Sequence, residues 1–118
     1  MIIEQMSKEQ IRYLSKIKKL VSENHCRFLS ERDTRNYIDD LMDIGISVEE
    51  AWYHIMQLKP AFYNPDRKPN YNKKGEDALL FKKPINGYIV YIKLKIEVRD
   101  SHEETVCISF HKDHDSRR

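Results

Sequence analysis

The sequence predicts an α+β fold in which N-terminal helices pack on a C-terminal antiparallel β-sheet of at least three strands. Three observations carry this expectation. Apolar residues recur at helical spacing over the first half, apolar and polar residues alternate near 88–99, and a stretch rich in Pro, Gly, Asn and Asp separates the two. A chain of 118 residues has the length of one domain. It divides into a helical half of about 8–59, a loop of 60–77, a sheet of about 78–111 and a frayed tail of 112–118.

Ser7-Lys8-Glu9-Gln10 has the spacing of a capping box, and Ile11, Leu14, Ile17, Leu20 and Val21 follow at helical intervals, with Lys16, Lys18 and Lys19 opposite them. A first helix is expected over about 8–24. His25-Cys26-Arg27-Phe28-Leu29, bounded by Asn24 and Ser30, reads as a brief edge strand. Ser30 is the expected N-cap of a second helix carrying Tyr37, Ile38, Leu41 and Met42, which Gly45 ends in a left-handed conformation. Ser47-Val48-Glu49-Glu50 repeats the capping box and opens a third helix with the apolar stripe Val48, Ala51, Trp52 and Ile55, closed by Pro60. Trp52 on that stripe reads as core rather than as a base-stacking ring.

From Ala61 to Asp77 no periodicity persists, and Phe62, Tyr63 and Tyr71 are interleaved with Arg67, Lys68, Lys73 and Lys74. Such a mixture suits single-stranded nucleic acid, whose bases stack on aromatic rings while cations meet its phosphates. The alternative use of Tyr63 and Tyr71 is to tie the loop down. Strands are expected at about 78–82, 88–99 and 105–111. Lys83–Gly87, with the hairpin signal Asn86-Gly87, joins the first two, and Asp100–Glu104 joins the last two. In the middle strand Tyr88, Val90, Ile92, Leu94, Ile96 and Val98 point one way, and Ile89, Tyr91, Lys93, Lys95, Glu97 and Arg99 the other. In the last strand Val106, Ile108 and Phe110 take the apolar face, and Cys107, Ser109 and His111 the polar one.

Composition narrows the function. Hydrophobic residues at 40% and charged residues at 34% describe a soluble globular chain. No apolar run approaches the ~18 residues of a membrane span, and Met1-Ile2-Ile3 is followed at once by Glu4 and Gln5, unlike a signal peptide. A cytoplasmic protein with no membrane partner is expected. Cys26 and Cys107 flank no CxxC unit; His25 with Cys26, or Cys107 with His111 and His114, puts too few ligands on one face for tetrahedral zinc. Neither a metal nor a cofactor is expected. A net charge of +2 does not by itself mark a nucleic-acid binder. The stretch 67–95 is nevertheless basic, holding Arg67, Lys68, Lys73, Lys74, Lys82, Lys83, Lys93 and Lys95 against Glu76 and Asp77.

Pairing apolar with apolar across the last hairpin sets Val98 opposite Val106 and Ile96 opposite Ile108. Lys95 then faces Ser109 and Lys93 faces His111, with Tyr91 on the diagonal. One solvent-facing side of the sheet presents all five. Cleaving RNA without a metal needs a base for the 2′-hydroxyl, cations for the phosphate and an acid for the departing 5′-oxygen. His111 as proton donor or acceptor, Tyr91 as its partner or a phosphate hydrogen-bond donor, and Lys93 with Lys95 as electrostatic stabilisers meet those needs. Alternating lysines on an exposed strand also serve solubility alone.

Tyr91-Ile92-Lys93-Leu94-Lys95-Ile96 and Cys107-Ile108-Ser109-Phe110-His111 stand in order with Asp43-Ile44-Gly45-Ile46-Ser47 and Phe62-Tyr63-Asn64-Pro65-Asp66. In these segments the chain, over about 36–111, resembles the MqsR family of toxins, which belongs to the broader RelE-like fold of messenger-RNA interferases. The resemblance implies a RelE-like sheet, metal-independent and sequence-selective cleavage of messenger RNA, and inhibition by a cognate antitoxin protein with a helix-turn-helix part. Tyr91 matches the family's active-site tyrosine, and His111 stands where some members have lysine after the Ser-Phe pair. Asn64 replaces the lysine expected after the aromatic pair, no glutamine precedes the sheet where some members carry one, and Arg67 or Lys68 is the candidate substitute cation. The candidate site thus comprises catalytic Tyr91, His111 and Lys93, with Lys95, Arg67, Lys68, Tyr63, Asn64, Tyr71 and Ser109 contacting single-stranded RNA. Two other readings stay open: a nucleic-acid-binding module without catalysis, and a protein-interaction regulator or inhibitor from a mobile element that uses its sheet edge.

Overall fold

The computed structural model describes residues 6–29, 36–64 and 78–113. Its helices are α1 (Lys8–Ser22), α2 (Tyr37–Ile44) and α3 (Val48–Met56), followed by a single 3-10 turn at Pro60–Phe62. Its strands are β1 (Cys26–Phe28), β2 (Leu79–Ile85), β3 (Tyr88–Arg99) and β4 (His102–Lys112), in sheet order β1-β4-β3-β2. The fold is α+β, with the helices ahead of the C-terminal sheet. β2, β3 and β4 form antiparallel hairpins, and β1 adds a parallel edge against β4.

The helix ends follow from local chemistry. Ser7 and Ser47 each accept from the backbone N–H three residues on, while Gln10 and Glu50 reach back to the cap N–H, so both capping boxes close. Gly45 (φ +90°) ends α2, with Gly45 N–H and Ile46 N–H both donating to the Leu41 carbonyl. Asn36, not Ser30, caps the described start of α2 by accepting from Ile38 N–H. Ser30 lies outside the described residues.

One face of the sheet carries the helices. Leu14, Ile17 and Val21 of α1, Leu41 and Ile44 of α2, and Ala51 and Ile55 of α3 enclose Leu79, Phe81, Val90, Ile92, Leu94, Cys107 and Phe110. Each Val, Leu, Ile or Phe side chain among them, taken fully from water, contributes about 1.5–3 kcal/mol. Trp52 packs on Phe28 at the rim, its ring 4.8 Å away. The Tyr13 hydroxyl accepts from Ile96 N–H, on the β3 edge just past Leu94, the last β3 residue that β2 pairs with. Among the described residues no helix is long and apolar enough to cross a membrane.

Both hairpin turns are tighter than expected. Asn86 (φ +53°) and Gly87 (φ +83°) form a two-residue turn, so β2 extends through Pro84 to Ile85. Asp100 (φ +53°) and Ser101 (φ +66°) form the other, so β4 starts at His102 rather than near 105. At the far end β4 includes Lys112, and Asp113 N–H donates to the Ile89 carbonyl, so 112–113 belong to the sheet and not to a frayed tail.

Candidate functional site

The two-residue turn at Asp100-Ser101 sets the register of β3 on β4. Ile96 lies opposite Thr105, Lys95 opposite Val106 and Leu94 opposite Cys107; then Lys93 pairs with Ser109 and Tyr91 with His111. The expected pairings of Val98 with Val106 and of Lys93 with His111 are therefore corrected, because β-strand pairing follows the turn, whose left-handed Asp and Ser do not advertise it. Between Lys93 and Leu94 the register shifts, leaving Ile108 as an extra residue on β4. That bulge also corrects the faces of β4. Thr105 and Cys107, not Val106 and Ile108, turn to the helices, where the Thr105 hydroxyl donates to the Ile17 carbonyl and Cys107 joins the core. Past the bulge, Phe110 is core, and Ser109 and His111 lie on the outer face.

The result on that outer face is a set of cross-strand rows. Lys82, Tyr91 and His111 form one row over β2, β3 and β4; Leu80, Lys93 and Ser109 form the next. The Tyr91 and His111 rings stack, with centroids 5.3 Å apart and planes 15° from parallel. His111 Nδ1 lies 2.8 Å from the Lys112 carbonyl oxygen, which can only accept. Nδ1 therefore carries the hydrogen, and in the neutral ring the basic lone pair resides on Nε2.

The middle of this face is not open to water as expected. Lys93 and Ser109 are each 6% exposed, and the neighbours on this face are buried too, Leu80 (3%) opposite Lys93 and Val106 (0%) opposite Lys95. Lys95 pairs with Glu97 at 2.9 Å. Glu97 in turn accepts from Arg27 of β1, whose other nitrogen donates to Glu104. This network crosses β1, β4 and β3 at the end of the sheet away from His111. Lys82 reaches Asp113 at 2.8 Å at the opposite end.

Tyr63 is on the other side. Its ring meets Phe81 edge-on at 6.0 Å and its hydroxyl accepts from Gln10 of α1, so it ties the chain after α3 to the core. Asn64 N–H donates to the Leu80 carbonyl, which lays this residue along the β2 edge. Arg67, Lys68 and Tyr71 lie outside the described residues. Sequence reasoning passed over Lys82 and Asp113. The signal for Lys82 was present, since a two-residue Asn-Gly turn places it opposite Tyr91; Asp113 carried none once the strand was ended at 111.

A second polar cluster lies on the helix side. Lys83, 7% exposed, donates from Nζ to His54 Nδ1 (2.9 Å), the His54 carbonyl (3.3 Å) and Gln57 Oε1 (3.2 Å). Three acceptors use its three donors, so it closes the C-terminal end of α3, where positive charge also suits the helix dipole. Burial, then the charge of Lys59, holds the Lys83 ammonium below its ordinary range. Burial, then Lys83, lowers the His54 imidazole, with Glu50 opposing. Among the described residues no three His, Cys, Asp or Glu side chains gather as a metal site.

Comparisons with family models, with curated proteins and with solved structures found no match to this chain.

Proposed function

We propose that this chain is a metal-independent endoribonuclease that cleaves single-stranded messenger RNA sequence-selectively. It is the toxin of a toxin–antitoxin pair, and its protein partner is a cognate antitoxin carrying a helix-turn-helix part. The observation that carries the reading is the stacked pair of Tyr91 and His111, directly opposed on adjoining strands with Lys93 and Ser109 in the next row. His111 Nε2 takes the proton from a ribose 2′-hydroxyl or returns one to the departing 5′-oxygen. Tyr91 donates a hydrogen bond to the phosphate, and Lys93 stabilises the charge that develops there. The 2′-oxygen attacks phosphorus, the bond from phosphorus to the 5′-oxygen breaks, and a 2′,3′-cyclic phosphate and a 5′-hydroxyl remain. The likeness of the two strand segments to the MqsR family supports the toxin assignment, and Arg67, Lys68 and Tyr71 are RNA contacts on sequence grounds alone.

The test is incubation of purified protein with single-stranded RNA in EDTA. Fragments ending in cyclic or 3′-phosphate are expected from wild type, and none from the Tyr91→Phe, His111→Ala double variant. Intact RNA with wild type, or undiminished cutting by the double variant, removes the reading. The burial of Lys93 favours one alternative, a module that grips RNA on this face without cutting it. Steeply salt-dependent binding without fragments identifies that case.

A further inference from the structure

We propose that Lys82 is a phosphate-binding cation of this same site, and that Asp113 is the positioning residue that holds its ammonium beside the Tyr91–His111 stack. The inference rests on the ribonuclease reading. Lys82 belongs to β2 and Asp113 follows β4, so β3 lies between them. Strands stand about 4.8 Å apart, so two side chains meeting at 2.8 Å from strands nearly 10 Å apart must both lean over β3. The face they use is fixed by register. Lys82 is opposite Tyr91, and Asp113, two residues past His111, bonds to Ile89. The ion pair therefore spans the strip of β3 between Ile89 and Tyr91, and the ammonium flanks the stacked rings.

Accessibility distinguishes Lys82 from the other lysines of the face. Lys93 is 6% exposed, and the Lys95 side chain is 16% exposed and paired to Glu97. The Lys82 side chain keeps 35% exposure whereas its carboxylate partner keeps 13%, so the cation is the member of the pair that a solvent-borne anion meets. Asp113 takes one of three ammonium donors, and the others suit phosphate oxygens. As a stability device the pair is weak, because ion pairs near the surface contribute about 0–1 kcal/mol.

The experiment measures binding of a single-stranded RNA made uncleavable by 2′-O-methyl riboses, by fluorescence anisotropy across a salt series, for wild type, Lys82→Met, Lys82→Arg and Asp113→Asn. Turnover of the unmodified RNA is measured in parallel. Lys82→Met should weaken binding and reduce the slope of log affinity against log salt by about 0.7, the value of one phosphate contact on a single strand. Lys82→Arg should restore the slope. Asp113→Asn should act in the opposite sense on affinity, tightening it by releasing an uncompensated cation, while kcat falls because that cation is no longer held in place. A merely structural pair predicts that Lys82→Met and Asp113→Asn lower Tm alike and leave the salt slope unchanged, and that result overturns the proposal. Wild type that binds without cutting removes the ribonuclease reading, and the slopes still decide for or against Lys82. Wild type that neither binds nor cuts removes both.

Discussion

Replacing His111 with alanine removes a ring that does two separable things. It stacks on Tyr91 at 5.3 Å, and it presents Nε2 as the basic nitrogen because Nδ1 is committed to the Lys112 carbonyl. Loss of the stack costs about 0.5–1.5 kcal/mol of stability, a shift of only a few degrees in Tm for a domain of this size. Loss of proton transfer costs about 10²–10⁴ in turnover, or about 2.7–5.4 kcal/mol of barrier. The kinetic effect exceeds the structural one, and below Tm the two can be measured apart. Tyr91→Phe sharpens the comparison, since it keeps the ring for the stack and deletes only the hydroxyl: turnover should fall by far more than any shift of the melt accounts for. Initial rates on a fluorophore–quencher RNA in EDTA separate kcat from KM, and thermal melts report the fold. A His111→Ala rate within about tenfold of wild type, or a loss of rate that merely tracks unfolding, refutes the acid–base role.

Stability should fall on acidification because the folded-state pKa of His54 lies below its ordinary value of about 6.5, chiefly through burial and then Lys83. The unfolded chain then binds the extra proton first, so the loss begins as pH drops through about 6.5 and is complete below the folded-state pKa. Denaturant midpoints between about pH 7 and 5 should show this slope, and His54→Gln should flatten it; an unchanged slope in the variant contradicts the assignment. Tyr63→Phe should cost about 0.5–1.5 kcal/mol by orphaning the Gln10 amide, without changing RNA affinity; a clear loss of affinity would return Tyr63 to the binding surface. Thr105→Val, nearly isosteric at a fully buried position, should cost about 1 kcal/mol in a urea titration through the bond to the Ile17 carbonyl, and a stabilised variant would show that the bond contributes nothing.

The sequence was most legible where a single residue type forces the backbone. Ser7 with Gln10, Ser47 with Glu50, and Gly45 mark helix ends by hydrogen-bonding capacity or by tolerance of positive φ, and all appear in those roles. The alternation of β3 was readable for the same reason, and Val90, Ile92 and Leu94 are fully buried. Its ends were not, because no described helix covers Val98, which is 70% exposed. Register was hidden: Asp100 and Ser101 adopt left-handed conformations more typical of Asn and Gly, and the Ile108 bulge reverses the faces of half a strand. Tyr91 and His111 still share a face because two errors offset one another, a wrong offset and an unseen bulge. The place of Tyr63 depends on Gln10, 53 residues away, and that of Lys82 on Asp113 across an intervening strand; pairings of that range leave no local mark.

The most direct measurement compares two RNA oligonucleotides that differ by one atom. Once the cut position is mapped, the ribose 2′-hydroxyl at the scissile nucleotide is replaced by hydrogen and both strands are offered to wild type in EDTA. If Tyr91 and His111 activate that hydroxyl, the deoxy strand should bind with unchanged affinity and stay whole. Cleavage of the deoxy strand at the same position would contradict it.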